Sequence, residues 1–317
     1  MTASSAAQHR FTLADWDRKA SVRSKPDCFE LPADLDRQLL TQDWFPPAFL
    51  PYLAHPLIQG LGRATQQRLA ANHLVYFLDY TTLLEHKIVN RAVETLVHGD
   101  LAMAVPRPMR TAALQLYTDE GYHALFSDTL AAQIAHWYGI DNRHRVPQRI
   151  RHLLALVQRT APQQVPLAWF FIGFVSETII AKELLAITRD SLIPCVYHML
   201  REHLEDEARH SRYFCEVFGY TWEALAAARQ PAAADLLLAI IQVFAQIDGQ
   251  WLHESFASAG IDPATRTQVI EPLLQPQAWA QRARANATTT LATMKKYGFF
   301  EPAYNRQLFV DAGLIDG

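Results

Sequence analysis

Apolar residues recur at intervals of three and four along most of the chain, and proline or glycine interrupts the recurrence. The pattern predicts a long helix over about 64–98, stopped at Gly99, and a second over about 108–138, closed by Gly139. A shorter helix follows Pro147 and ends before Pro162. Two further long helices cover about 165–189, with Gly173 inside, and about 191–218, with Asp190 or Ser191 as N-cap, Pro194 near the start and Gly219 beyond the end. The remainder, about 222–297, reads as additional helices, among them "AADLLLAIIQVFAQIDGQWLHESF". No alternating run between hairpin turns, internal repeat or low-complexity tract interrupts this, so the expected fold class is all-α, one domain over 1–317.

The most apolar stretch, "VPLAWFFIGFVSETIIAKELLAI" (165–187), has nearly the length of a membrane span. Its second half carries Glu177, Lys182 and Glu183, which favours a buried helix. Composition adds exclusions. A net charge of -3 provides no basic field for nucleic acid or anionic lipid, so neither a nucleic-acid nor a membrane partner is expected. Cys28, Cys195 and Cys215 lie far apart with no CxxC spacing, and each reads as a small, buried apolar residue. The first twenty residues lack the apolar run of a signal peptide. Together these predict a cytoplasmic protein.

The candidate chemistry sits in four predicted helices. "DEGYH" (119–123) and "DEARH" (206–210) each place a Glu and a His three residues apart, on one stripe of a helix. With fourteen Glu and thirteen His in 317 residues, about 0.6 such pairs arise by chance. One pair is therefore uninformative, whereas two pairs in two long apolar helices carry weight. The two other long helices each hold an acid in apolar surroundings: Glu85 in "YFLDYTTLLEH" and Glu177 in "FFIGFVSETIIA". A carboxylate on a core-facing helix costs several kcal/mol unless it is paired or binds metal. No Lys or Arg lies near either in sequence until Lys87 and Lys182. One Glu from each of two helices plus one Glu-x-x-His from each of two others is the di-iron or di-manganese carboxylate pattern of ferritin-like four-helix bundles. The candidate ligands are Glu85, Glu120, His123, Glu177, Glu207 and His210.

Asp119 and Asp206 each lie four residues before a candidate ligand histidine. They read either as carboxylates behind an imidazole or as plain surface acids. Arg209 reads as a buried counter-charge or a solvated residue. His203 is separated from His210 by about 10.5 Å of helical rise. A straight helix takes it to the edge of the site, and ligation calls for local unwinding or a π-bulge in its own helix.

The blocks "DEGYH", "SETIIAKELLAITRD" and "HLEDEARH", with Glu85 and their spacings, resemble the AurF-like p-aminobenzoate N-oxygenase family over roughly residues 50–260. The resemblance implies a ferritin-like bundle and an extra histidine ligand at His203. It also implies two iron ions that use O2, through a peroxo-diferric species, to oxidise an amine nitrogen to hydroxylamine, nitroso or nitro products in natural-product pathways. An electron donor of unspecified identity and a homodimer are further implications, and manganese could replace iron. The substrate side is thinner. Tyr80, Thr81 and Thr82 precede Glu85, and Gly173 and Phe174 precede Glu177, and none is a cation able to clamp an aryl carboxylate. Gly173 either opens a cavity or lets two helices approach. A cation could still arrive from the N-terminal segment or from the later helices. An aryl amine, an amino acid, an aliphatic amine and a carrier-bound aminoacyl group all remain open as substrates.

The alternative enzyme is a di-iron C–H hydroxylase or desaturase. A radical-generating subunit fits poorly, because Tyr122 points off the ligand stripe. Iron storage and a metal-free helical interaction module are the readings from other classes.

Overall fold

Most stretches with three-and-four apolar spacing bury one stripe against their neighbours, the helix over 165–183 is buried on all sides along 170–180, and most of the chain's backbone polar groups are satisfied within helices. In the computed structural model, which describes residues 11–24, 29–141, 143, 145–186 and 189–317, the protein is 76% helical and forms no strand among those residues. The all-α architecture is consistent with a ferritin-like bundle. Helix α1 (Arg63–Leu84) runs through a π turn, Glu85–Val89, into α2 (Asn90–Val97). Then come α3 (Arg107–Tyr138), α4 (Gln148–Arg159), α5 (Val165–Glu183) and α6 (Pro194–Ala224). Helices α7 (Gln230–Phe244), α8 (Gly249–Ser258), α9 (Pro263–Leu274), α10 (Pro276–Asn286), α11 (Thr288–Lys296) and α12 (Ala303–Asp311) flank these. α1 and α2 pack along α3, and α5 packs along α6; the two pairs meet where α2 crosses α5 and α3 meets α6.

That crossing explains Gly173. A methyl group there would stand 2.6 Å from Ala92 Cβ on α2 and 3.0 Å from the Phe214 ring on α6. Of its two readings, close helix approach is the one the structure adopts. Phe174 stacks on Phe218 with ring centroids 4.4 Å apart, inside the apolar core.

Several boundaries differ from the sequence reading. α6 does not stop at Gly219 but continues to Ala224, because that glycine makes room for a ring: a methyl group on it would lie 2.3 Å from Tyr297 Cε1. α5 ends at Glu183 rather than near 189, and 3-10 turns at Leu184–Ala186 and Arg189–Ser191 follow it. The residue capping α6 is Ile193, without a side-chain hydrogen bond, so neither Asp190 nor Ser191 serves as its N-cap. Cys195 and Cys215 are half-buried free thiols rather than fully buried residues, and Cys28 lies outside the described residues. Two stretches, Pro162–Glu183 and Ala227–Ser258, are long and apolar enough to cross a membrane by length and composition; the first is largely buried inside the bundle.

Candidate metal centre

Four helices deliver the site. α3 contributes Glu120 and His123 one turn apart, α6 contributes His203, Glu207 and His210 on one stripe, α5 contributes Glu177, and Glu85 opens the π turn between α1 and α2. All seven side chains are at most 2% exposed. Helical periodicity accounts for the pairs within α3 and α6. Glu85 is aimed by the π turn, which inserts a residue into the helix and shifts its facing. α6 stays regular around His203, so the irregularity predicted for that helix is found instead in the facing one. Glu85 Oε1 thereby comes within 2.8 Å of His203 Nε2.

Glu207 lies at the middle of the cluster. Its Oε1 is 3.3 Å from His203 Nε2, from His123 Nδ1 and from His210 Nδ1. His123 Nδ1 is also 3.8 Å from both Glu85 Oε2 and Glu120 Oε2. His210 Nδ1 lies 3.1 Å from Glu120 Oε1 and 3.6 Å from Glu177 Oε2. Two overlapping groups have donor atoms within 4.8 Å of one another: Glu85, His123, His203 and Glu207, and Glu120, His123, Glu207 and His210. Both groups contain Glu207, the shared carboxylate that a two-ion site needs, and both lie within reach of His123, whose single free nitrogen can serve one ion.

Do these residues fit metal? Both carboxylate oxygens of Glu85, Glu120 and Glu207, Oε2 of Glu177, Nδ1 of His123 and of His210, and both ring nitrogens of His203 are buried without a hydrogen bond. Buried polar atoms are seldom left this way, and here the lone pairs converge on common points. No Lys or Arg pairs with the four glutamates among the described residues. Four carboxylates and three imidazoles match two divalent ions in charge and donor type. The donor set fits.

Without metal, protons must stand in. Burial pushes Glu85 up to about 7, against the pull of His203. Burial, with Glu207 and Glu120 adding repulsion, drives Glu177 well above the carboxylate range. Burial opposes charge on His123 and His210, but the surrounding carboxylates hold both well above the usual imidazole range. Burial also works against Glu207, yet His210, His123 and His203 keep it well below its ordinary value. Metal uptake here displaces protons.

Asp119 and Asp206 stand behind the cluster, both fully buried. Asp119 Oδ2 is 3.0 Å from His210 Nε2, and Asp206 Oδ2 is 3.1 Å from His123 Nε2. Each carboxylate therefore serves the histidine of the other Glu-x-x-His helix, not the one four residues along its own. The contacts fix Nε2 toward the aspartate and leave Nδ1 facing the cluster. Arg209 is the largely buried partner of Asp206. Tyr122 faces Phe126, edge to face at 5.5 Å, and not the donors.

Compared with known families, the chain matches the p-aminobenzoate N-oxygenase AurF over residues 3–298. It belongs to the AurF family. AurF-family proteins are di-iron N-oxygenases, so the chain is an oxygenase whose buried Glu and His cluster can hold a di-metal site.

This AurF-family chain also has a cavity of about 350 Å³. None of the seven donors lines it, but Tyr80, Leu184 and Leu200 do, and each lies within about two helical turns of a donor, Glu85, Glu177 and His203 respectively. Aromatic side chains such as Phe45, Phe77 and Trp251 line much of the rest. Of the four predicted pocket residues, Tyr80 lines this cavity, whereas Thr81, Gly173 and Phe174 are buried in helix packing. The cavity also holds Arg149 from α4, Arg282 from α10 and Glu183 from the end of α5. Arg149 donates to the Gln246 carbonyl at 2.8 Å and lies over the Tyr80 ring, 5.7 Å from its centroid. Burial pushes the Tyr80 phenol up to about 12. Arg282 is pulled below the usual guanidinium range by burial and by the charge of Arg149. Arg282 comes from one of the later helices named as a source of a cation, whereas Arg149 comes from α4, which sequence spacing did not single out.

Proposed function

We propose that this chain uses O2 to oxidise the nitrogen of a small aminoaryl substrate at two iron ions held by Glu85, Glu120, His123, Glu177, His203, Glu207 and His210. The observation that carries this reading is the convergence of seven buried donors, none with a hydrogen bond at its free atoms, together with an aromatic cavity bearing Arg149 and Arg282. Bound iron supplies the binding and activation of O2, which no side chain here can provide. The protein's part is positional. Glu207 would hold the two halves of the site together, Asp119 and Asp206 fix the imidazole tautomers, and the aromatic side of the cavity keeps water from the reacting nitrogen.

The two guanidiniums favour a substrate with an anionic group at the end remote from the amine. One carboxylate, Glu183, faces them, and it is held by Asn286 Nδ2 at 3.3 Å. Asp248 is occupied by the Gln148 and Trp251 amides and by Arg145. One positive charge is therefore left for the ligand. We read the protein as a cytoplasmic homodimer that takes electrons from a separate donor; the uncharged exposed side chains Leu114, Tyr117 and Leu125 along one face of α3 support a second copy as neighbour.

The test is to load the purified chain anaerobically with ferrous iron, measure iron per chain, then add O2 and aryl amines with and without a carboxylate. Two irons per chain, with N-oxidised product formed fastest from the carboxylated amine, is the expected result. Substoichiometric iron would overturn the ligand set, and products oxidised at carbon would overturn the N-oxygenation.

A further inference from the structure

Residues 11–24 pass over the outside of α3 and α6, immediately behind the metal site. The segment is tied down along its length. The Phe11 amide donates to Glu216 Oε2 at 2.6 Å, and the guanidinium of Arg212 donates to the Thr12 carbonyl at 3.1 Å. The Phe11 ring meets Tyr220 edge to face at 5.5 Å. Arg209 donates to the Lys19 carbonyl at 3.3 Å.

Between these anchors the segment reaches both outer carboxylates. The Trp16 indole N–H lies 2.9 Å from Asp119 Oδ1 and 2.8 Å from Oδ2, and so donates to both oxygens. The Ser21 amide donates to Asp206 Oδ2 at 3.1 Å. Two hydrogen-bonded chains result: Trp16 to Asp119 to His210, and Ser21 with Arg209 to Asp206 to His123. They are not equivalent. Asp206 keeps the Arg209 cation if the segment leaves, whereas Asp119 has only His210 and Trp16 as hydrogen-bond partners among the described residues. A buried carboxylate stripped of its donor would turn or draw in water, and the imidazole it holds would follow.

We propose that residues 11–24 are a clamp on the metal centre, with Trp16 the positioning residue for His210, so that docking of this segment and retention of metal are one linked equilibrium. The proposal rests on the ligand reading above. Outer partners of a ligand imidazole typically change metal affinity by 10- to 100-fold. Linkage requires the reverse effect too: metal binding must hold the segment down.

The test uses the full chain loaded anaerobically with ferrous iron and challenged with excess ferrous chelator. Trp16→Phe keeps a ring and removes the donor; it should release one iron about tenfold faster than wild type and leave the other nearly unchanged. Trp16→His, which restores an N–H, should recover part of the difference. Amide exchange of residues 11–24 in the metal-free wild type should slow when ferrous iron is added. A purely structural role would instead lower the melting temperature of the metal-free variant and release both irons together, and that pattern overturns the proposal. Release from Trp16→Phe at the wild-type rate also overturns it, as does exchange that iron leaves unaltered. Wild-type chain that takes up no iron removes the site itself, a result distinct from a two-iron wild type whose release ignores Trp16.

Discussion

The same two helices, α5 and α6, build two layers of opposite character. One layer is aromatic: Phe170, Phe171 and Phe174 of α5 meet Phe214 and Phe218 of α6, with Phe174 and Phe218 nearly parallel. The other begins one turn away, where Glu177 faces Glu207 and His210. Both are equally dry, since every one of these residues is at most 1% exposed. Burial stabilises the first layer and penalises the second. Stability and function are therefore segregated by a single helical turn, and the donor layer is held in place by its neighbour until metal replaces protons.

The largest effect expected of a substitution that separates the layers is in the aromatic one. Phe218→Ala should cost about 3–5 kcal/mol of unfolding free energy while the folded variant still binds iron in the wild-type ratio, as denaturant titration with metal analysis would show. Loss of iron at full occupancy of the folded state would mean that the layers are not separable. Next, Gly173→Ala forces a methyl group against Ala92 and should cost about 1–3 kcal/mol, again without loss of iron. In the donor layer the sign should reverse. Glu177→Met removes a carboxyl group that burial disfavours, so the metal-free variant should be more stable than metal-free wild type by about 1–2 kcal/mol, yet bind fewer than two irons. A metal-free Glu177→Met that melts below wild type would refute the idea that this layer is strained without metal.

The remaining lever on the donor layer is pH. Glu85 and Glu177 are raised in the folded chain, so between pH 4.5 and their folded values the folded state holds more protons than the unfolded one, and stability falls as pH rises. His123 and His210 are raised too, so their contribution is complete below about 6.5 and is lost as pH climbs through their folded values. Glu207 acts with the opposite sign, but only below its ordinary value of 4.5. From pH 6 to 8 the metal-free melting temperature should drop by about 5 °C. The iron-loaded chain should show no such drop, since metal binding releases protons and tightens with pH. A flat metal-free profile in differential scanning calorimetry would count against this account.

Local spacing made much of the molecule legible. The long helices and the Glu-x-x-His pairs follow from periodicities of three and four residues, which the chain carries within a single turn. What escaped depends on contacts between distant segments. Spacing alone puts the irregularity that His203 needs in its own helix, but the π turn that resolves it lies in the helix opposite. The aspartates cross to the other helix rather than serving their own. Trp16 meets a residue 103 positions away, and the Arg149 side chain touches a carbonyl 97 positions away. Gly219 has the look of a helix end, but Tyr297, which needs its missing side chain, is far off in the sequence.

The π turn at Glu85–Val89 also acts as a gear between two surfaces. It joins α1, whose Tyr80 belongs to the cavity wall, to α2, whose Ala92 is wedged against α5. Relative to an unbroken α-helix, the inserted residue offsets the angular phase of these surfaces by about 100° and their height by about 1.5 Å. If the turn became regular α-helix with the residue count unchanged, either the cavity wall or the core contact would rotate away. Deleting the one inserted residue would instead leave both surfaces in phase and remove only the bulge that aims Glu85. The extra residue is thus taken up by the turn itself, so a one-residue deletion there should spare the fold and cost the metal site.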